Sequence, residues 1–368
     1  MPLLFEIILN KTLMQLKYSI LSLATAALVF TACDDDVNTP AASQAPDTYA
    51  FENVDYSGQT ARINLLSDLE TLAKSGSSQA VAEADLLALY NNTNQLYNTD
   101  KILADKVYGG QDGLFNENIT ALFADLSALS QDAVRDGNVS DGYLIDTDGR
   151  EPAQLIAKGL MSGLLYHQAV NVYLGTDKMS SNNSEVTEGE GTAMQHHWDE
   201  AFGYFGAGTD FPAEGSEARY WASYAQKRSD IFDVRQSLMD AFIKGRFAIN
   251  QNDIAARDEA IETIRIEWEK LAAANVVHYI NQSLSLQNTE ADMSNQSGKF
   301  YHAWSEALGF AWALGFGNEG KTMTNTEYTQ LVDLLGDNPT ETDRQKLQQA
   351  WVLLQGVYGF SDEQMQNL

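Results

Sequence analysis

The 368-residue chain contains a single cysteine, which excludes an intramolecular disulfide and any Cys-rich zinc or iron–sulfur site. Basic side chains are scarce: 23 Lys and Arg stand against 51 Asp and Glu, a formal net charge of −28. Neutralising phosphates takes a basic stripe, so nucleic acid is excluded as a partner and an anionic membrane surface is disfavoured. Only six prolines occur, at positions 2, 40, 46, 152, 212 and 339, leaving two stretches of over a hundred residues without one. Runs of alternating Val, Ile and Thr bounded by hairpin turns are also missing, so strand signals are thin.

What is present is a hydrophobic content of 44%, too high for a disordered acidic chain and enough for a sizeable core. Met14 to Cys33 carries Lys17, the apolar run Ile20 to Val29, and then Phe30-Thr31-Ala32-Cys33. A charged start, about ten apolar residues and a small-residue cleavage site read as a secretory signal, too short for a membrane span. The pattern resembles a bacterial lipoprotein signal, which implies cleavage before Cys33 and its lipidation. Met14 is then a natural start and residues 1–13 an upstream extension. Asp34, Asp35 and Asp36 follow the cysteine, a pattern similar to the surface-export signal of one group of Gram-negative lipoproteins, and residues 33–50 form an acidic, Pro/Ala/Ser-rich tether. Removal of residues 1–32 takes away Glu6, Lys11 and Lys17 and moves the charge from −28 to −29. The expected location is the outer membrane, at the cell surface.

Helical periodicity fills the remainder. From Pro152, apolar side chains recur at Leu155, Ile156, Leu160, Leu164, Ala169 and Val172, and after Asp253 at Ile254, Ile261, Ile264, Trp268, Leu271 and Tyr279. Further helices are expected over 60–74, 80–89, 121–133, 219–249, 300–314, 325–335 and 343–358. About ten helices and no sheet make the chain all-α. Asp136, Asn138, Ser140, Asp146 and Asp148 lack the glycine register and closing Glu of a calcium loop and read as an Asx-rich turn.

An internal repeat lies within the helices. His196-His197-Trp198-Asp199-Glu200-Ala201-Phe202-Gly203-Tyr204 aligns without gaps on His302-Ala303-Trp304-Ser305-Glu306-Ala307-Leu308-Gly309-Phe310, identical at five of nine positions. At the same offset Val170, Tyr173 and Leu174 fall on Val276, Tyr279 and Ile280. The expectation is two pseudo-symmetric helical bundles, 51–214 and 215–368, produced by an internal duplication. His196 and His302 each lie four residues before a glutamate, and His197 lies three before Glu200, so each pair shares a helix face. An imidazole beside a carboxylate can ligate a metal, work as a general acid/base, or form a satisfied polar pair in a core. The metal-site candidates are His197 and Glu200, with His196, His302 and Glu306 as further ligands.

Several segments carry a family resemblance: Asn53 to Thr60, Asp146 to Glu151 followed by Ile156 to Met161, His196 to Ala201, Leu238 to Phe242, Lys244 to Arg246, and Ala248 to Asn250. Together they are similar to a family of bacterial lipoproteins of unknown function, DUF4856, related in turn to the imelysin-like proteins. The resemblance implies two helical bundles, a link to iron acquisition, a class label of M75 peptidase, and a Gly-x-His-x-x-Glu motif near the bundle interface. His197 and Glu200 match the motif; Gln195 stands in place of the glycine. Peptidase chemistry lacks its parts, since metal hydrolysis needs about three protein ligands and a water. The chain has only His167, His196, His197, His278 and His302, no His-Glu-x-x-His and no Gly-x-Ser-x-Gly. The expected function is therefore non-enzymatic: a surface-anchored lipoprotein that binds a ligand between its bundles, with iron or an iron carrier as the ligand and an outer-membrane protein as a partner. An M75-type metallopeptidase and a structural surface scaffold are the alternatives.

Overall fold

The computed structural model describes residues 44–287, 297–317 and 320–368. Cys33, the signal and most of the tether lie outside the described residues. In chain order the α-helices are α1 (Ser57–Ser75), α2 (Glu83–Tyr90), α3 (Leu114–Leu129), α4 (Asp132–Asn138), α5 (Pro152–Leu160), α6 (Thr176–Met179), α7 (Ala193–Phe205) and α8 (Tyr220–Arg228). They continue with α9 (Val234–Asn250), α10 (Ile254–Leu286), α11 (Gly298–Phe316), α12 (Asn325–Leu335), α13 (Arg344–Tyr358) and α14 (Asp362–Asn367). The chain is all-α, as its periodicity implies. Two ribbons of two-residue antiparallel strands depart from the expectation of no sheet: β1 (Val139–Ser140) with β2 (Tyr143–Leu144), and β3 (Val186–Thr187) with β4 (Gly191–Thr192).

Side-chain caps set the helix starts. Asp233, Asp253, Ser297 and Asp343 each accept a hydrogen bond from the backbone N–H three residues on, and Thr192, Thr324 and Ser361 close full capping boxes. The Asp233 cap splits the helix expected over 219–249. The Arg228 carbonyl accepts from Ile231 and Phe232, α8 ends, and α9 starts afresh. Asp146 forms the expected Asx turn, its Oδ1 accepting from the backbone of Asp148 at 2.9 Å and of Arg150 at 2.8 Å.

Beyond Leu160 the α5 helix widens into a π-helix over Met161–Tyr173. Donors from outside enter its carbonyl ladder: Trp221 Nε1 bonds the Met161 carbonyl at 2.9 Å and the Tyr108 backbone N–H bonds the Gly163 carbonyl at 2.7 Å.

Helix α10 is the spine, packed by α9, α11, α13 and α8. Around Trp268 the ring centroids of Phe205, Tyr166 and Trp221 lie at 5.1, 5.8 and 6.0 Å. Tyr166 and Phe205 precede the boundary expected at 214 and Trp221 and Trp268 follow it, so both halves bury one core. Residues Ala45–Leu368 form a single compact unit. The tether joins this body before residue 50: Tyr49 is fully buried, stacks on Phe202 at 3.9 Å, and donates to Asp199 Oδ1 at 2.6 Å, which also accepts from Arg246 Nε at 2.9 Å. No helix among the described residues is long and apolar enough to cross a membrane.

Glycines set how closely the helices approach. A Cβ on Gly245 of α9 would lie 2.1 Å from the fully buried Trp198 ring, whereas one on Gly356 of α13 would meet nothing within 4 Å. Urea denaturation of the two alanine variants should therefore diverge. Gly245→Ala loses about 1–3 kcal/mol through overpacking, and Gly356→Ala gains about 0.4–1 kcal/mol by restricting the unfolded chain. Equal effects of the two would contradict the close α7–α9 contact.

Candidate functional site

The His-x-Trp helices, α7 and α11, sit in matching surroundings. Trp198 Nε1 donates to the Phe242 carbonyl of α9 at 3.0 Å, and Trp304 Nε1 to the Leu335 carbonyl of α12 at 2.9 Å. Gly203 and Gly309 let a neighbouring helix approach. A Cβ on Gly203 would lie 2.6 Å from the Tyr56 Cβ and 2.9 Å from the Gln59 Cβ of α1, and one on Gly309 would lie 2.5 Å from the Lys158 Cβ of α5. The two helices thus share a frame but carry different groups, and the structure places the five expected ligands in two separate clusters.

On α7, Glu200 is enclosed by its partners. Gln59 Nε2 donates to Oε1 at 2.9 Å and His197 Nδ1 lies 3.1 Å from Oε2, with His196 Nε2 at 3.9 Å. Burial raises the Glu200 pKa, but the hydrogen bond from His197, the nearby His196, and hydrogen bonds from Gln59 and Tyr173 outweigh it and leave the carboxyl below its usual value. His196 Nδ1 is buried with no hydrogen-bond partner among the described residues. Gln195, at the glycine position of the family motif, closes the α7 capping box through its side chain.

On α11, His302 bridges two carboxylates. Its Nδ1 lies 2.6 Å from Glu151 Oε2 and its Nε2 3.4 Å from Glu306 Oε1, so an imidazolium has an acceptor at each nitrogen. Glu151 is the N-cap residue of α5, and its backbone N–H is tied to α11 by Ser305 Oγ at 2.9 Å. The β1–β2 ribbon abuts the start of α11, the Gly298 N–H donating to Ser140 Oγ at 3.0 Å, and lays Tyr143 flat on His302 at 4.2 Å. Lys158 Nζ lies 3.8 Å from Glu306 Oε1 and within cation–π range of the Tyr224 and Phe310 rings, at 5.5 and 5.9 Å.

This second cluster opens on a cleft of about 540 Å3, lined by α1, α5, α8, α10, α11 and the ribbon. Glu306 is 5% exposed, and its Oε2, also buried, has no hydrogen-bond partner among the described residues. Burial pushes the Glu151 carboxyl above its usual range despite its bond to His302. Glu70 shifts the other way, because Lys158 and Lys74 outweigh the burial that would raise it. Burial, then the like charge of Lys158, lowers the Lys227 pKa.

Glu151, Lys158 and Lys227 are absent from the sequence-derived site. A signal for Lys158 did exist: it sits in the run Leu155-Ile156-Ala157-Lys158-Gly159-Leu160, and a lysine in a helix buried along its whole length must meet an acid. Its partner lies on a helix 148 positions further along the chain, beyond the reach of spacing arguments. Among the described residues, no group of three or more His, Cys, Asp or Glu side chains is arranged to hold a metal ion.

Fold and site together define an all-α protein in which two matched His-x-Trp helices each bury a His–Glu cluster, one of them beside a charged cleft. Residues 112–341 match the family model for the domain of unknown function DUF4856, and the chain belongs to that family. The match spans α7 and α11 and includes Glu151, Lys158, Lys227, His302 and Glu306; Glu70 and Lys74 lie before it. No curated protein and no solved structure matches the chain.

Removing the imidazole should expose the linkage between Glu151 and pH. In His302→Ala the buried carboxyl loses its hydrogen bond, and its folded pKa, already raised, climbs further. A raised carboxyl pKa costs nothing below the unfolded value near 4.3, and stability is lost as pH rises through the folded value. The variant should therefore lose roughly 2–4 kcal/mol at pH 8 and clearly less at pH 5 in urea denaturation. A loss independent of pH would contradict the Glu151–His302 pairing.

Proposed function

We propose that the protein is a non-enzymatic lipoprotein, held at the outer face of the outer membrane by lipid on Cys33, that binds a small polar ligand in the cleft beside α11. The lipoprotein part is supported by the residues from Lys17 to Asp36. The binding part is carried by one observation: the Glu306 Oε2 atom, buried and with no hydrogen bond among the described residues, borders a cleft with room for a small molecule. Leaving a buried carboxylate oxygen unpaired costs free energy that a ligand donor would recover.

Iron enters this reading only as cargo of a carrier. Bare iron needs a ligand set, and the described residues offer no group of three or more suitable side chains. A complexed ion brings its own ligands and presents a polar surface that Lys74, Lys158 and Lys227 can meet.

Thermal melting of the full chain with ferric citrate, free iron and zinc salts, and a library of small charged compounds tests the proposal. A compound bound at a hundredfold excess over its Kd should raise the midpoint by roughly 5 °C, and Glu306→Gln should remove that shift. Free metal salts should have no such effect. The proposal fails if no compound shifts the midpoint, or if the shift survives Glu306→Gln.

A further inference from the structure

The charges lining the cleft constrain what it can hold. Glu70, Glu151 and Glu306 supply three negative groups, and Lys74, Lys158 and Lys227 three positive ones, with His302 among them. Some of these groups satisfy one another: Lys74 sits on Glu70, with side chains 45% and 18% exposed, and His302 lies between Glu151 and Glu306. Glu306 faces His302 and Lys158 through Oε1 and has the Tyr279 hydroxyl beside it, but its buried Oε2 makes no hydrogen bond among the described residues; Lys227, solvent-exposed and 4.6 Å from the Tyr224 ring, has no ion-pair partner among them.

Lys158 and Lys227 share that tyrosine ring, two like charges brought together where an anion placed between them would relieve their repulsion. A ligand of one sign satisfies half of this lining and is repelled by the rest. A purely anionic molecule would sit against Glu70, Glu151 and Glu306; a purely cationic one would face the lysines and His302. A molecule carrying both signs answers Glu306 and Lys227 at once.

We propose that the cleft recognises a small zwitterion, its ammonium donating to Glu306 and its carboxylate lying between Lys158 and Lys227. This rests on the cleft-binding reading above and adds the class of ligand. In the twin cluster on α7 the equivalent glutamate already has a partner on each oxygen, Gln59 and His197, which explains why the repeat supplies a second frame without a second open acceptor.

Calorimetric titration of the full chain with β-alanine, 4-aminobutyrate and 6-aminohexanoate, against hexanoate and hexylamine, tests the assignment. At least one ω-amino acid should bind about tenfold or more tightly than either singly charged control. Lys227→Ala and Glu306→Gln should each weaken that binding by a similar factor. Lys227→Ala breaks no ion pair and loses only an exposed cation–π contact with Tyr224, so it should lower the melting midpoint by no more than about 2 °C. The assignment is overturned if hexanoate or hexylamine binds as well as the amino acids, or if none of the series binds. A Glu306-dependent compound in the melting screen would then keep the cleft reading alive and remove the zwitterion.

Discussion

Helix α11 packs against α5 and its π-helical extension, α10, α12 and the β1–β2 ribbon, and this packing presses its buried polar groups to find partners inside the protein. Water reaches little of Trp304, Ser305 and Glu306. Ser305 spends its hydroxyl on the start of α5, Trp304 reaches a carbonyl at the end of α12, and His302 turns one nitrogen to Glu151. Lys158 is drawn into the core by the same demand, its stem packed against Gly309 and its ammonium facing Glu306. After these pairings one carboxylate oxygen remains, and it borders the cleft.

The comparison between α7 and α11 gives this remainder its meaning. Both helices use a tryptophan to hold one neighbour and a glycine to admit another, and both carry a glutamate between them. A neutral amide, Gln59, lies over Gly203 and donates to the glutamate, closing that cluster with a low-cost hydrogen bond. A charged lysine lies over Gly309, at a distance that leaves the pair loosely joined. Similar packing leaves a glutamate bonded at both oxygens in one place and at one oxygen in the other. Buried ion pairs contribute little net stability in themselves, so the Lys158–Glu306 pair is weak evidence for a part in holding the fold.

Much of this was legible in the residues. Period-3.6 apolar patterns, with Pro152 and Asp253 marking two starts, located most of the longer helices, and the duplicated His-x-Trp-x-Glu picked out the two that carry the His–Glu clusters. Other features depend on contacts between distant segments. Glu151 and Lys158 became site residues only because α5 packs on α11, and the Tyr143 ribbon matters because it rests on the first turn of α11. The π-helix likewise takes hydrogen bonds from Tyr108 and Trp221, which lie far from it in sequence. Grouping all five His and Glu side chains around one metal followed from their repetition in the sequence; the fold holds them in separate clusters.

Both oxygens of Glu200 on α7 are bonded, whereas Glu306 on α11 keeps one oxygen with no hydrogen bond among the described residues. A crystal structure of the full chain soaked with 6-aminohexanoate tests this most directly. The predicted result is a molecule bridging Glu306 Oε2 and Lys227 Nζ, with Glu200 still held by Gln59 and His197 and no ligand beside it. A cleft that stays empty at saturating concentration, or a molecule bound at Glu200 instead, would contradict it.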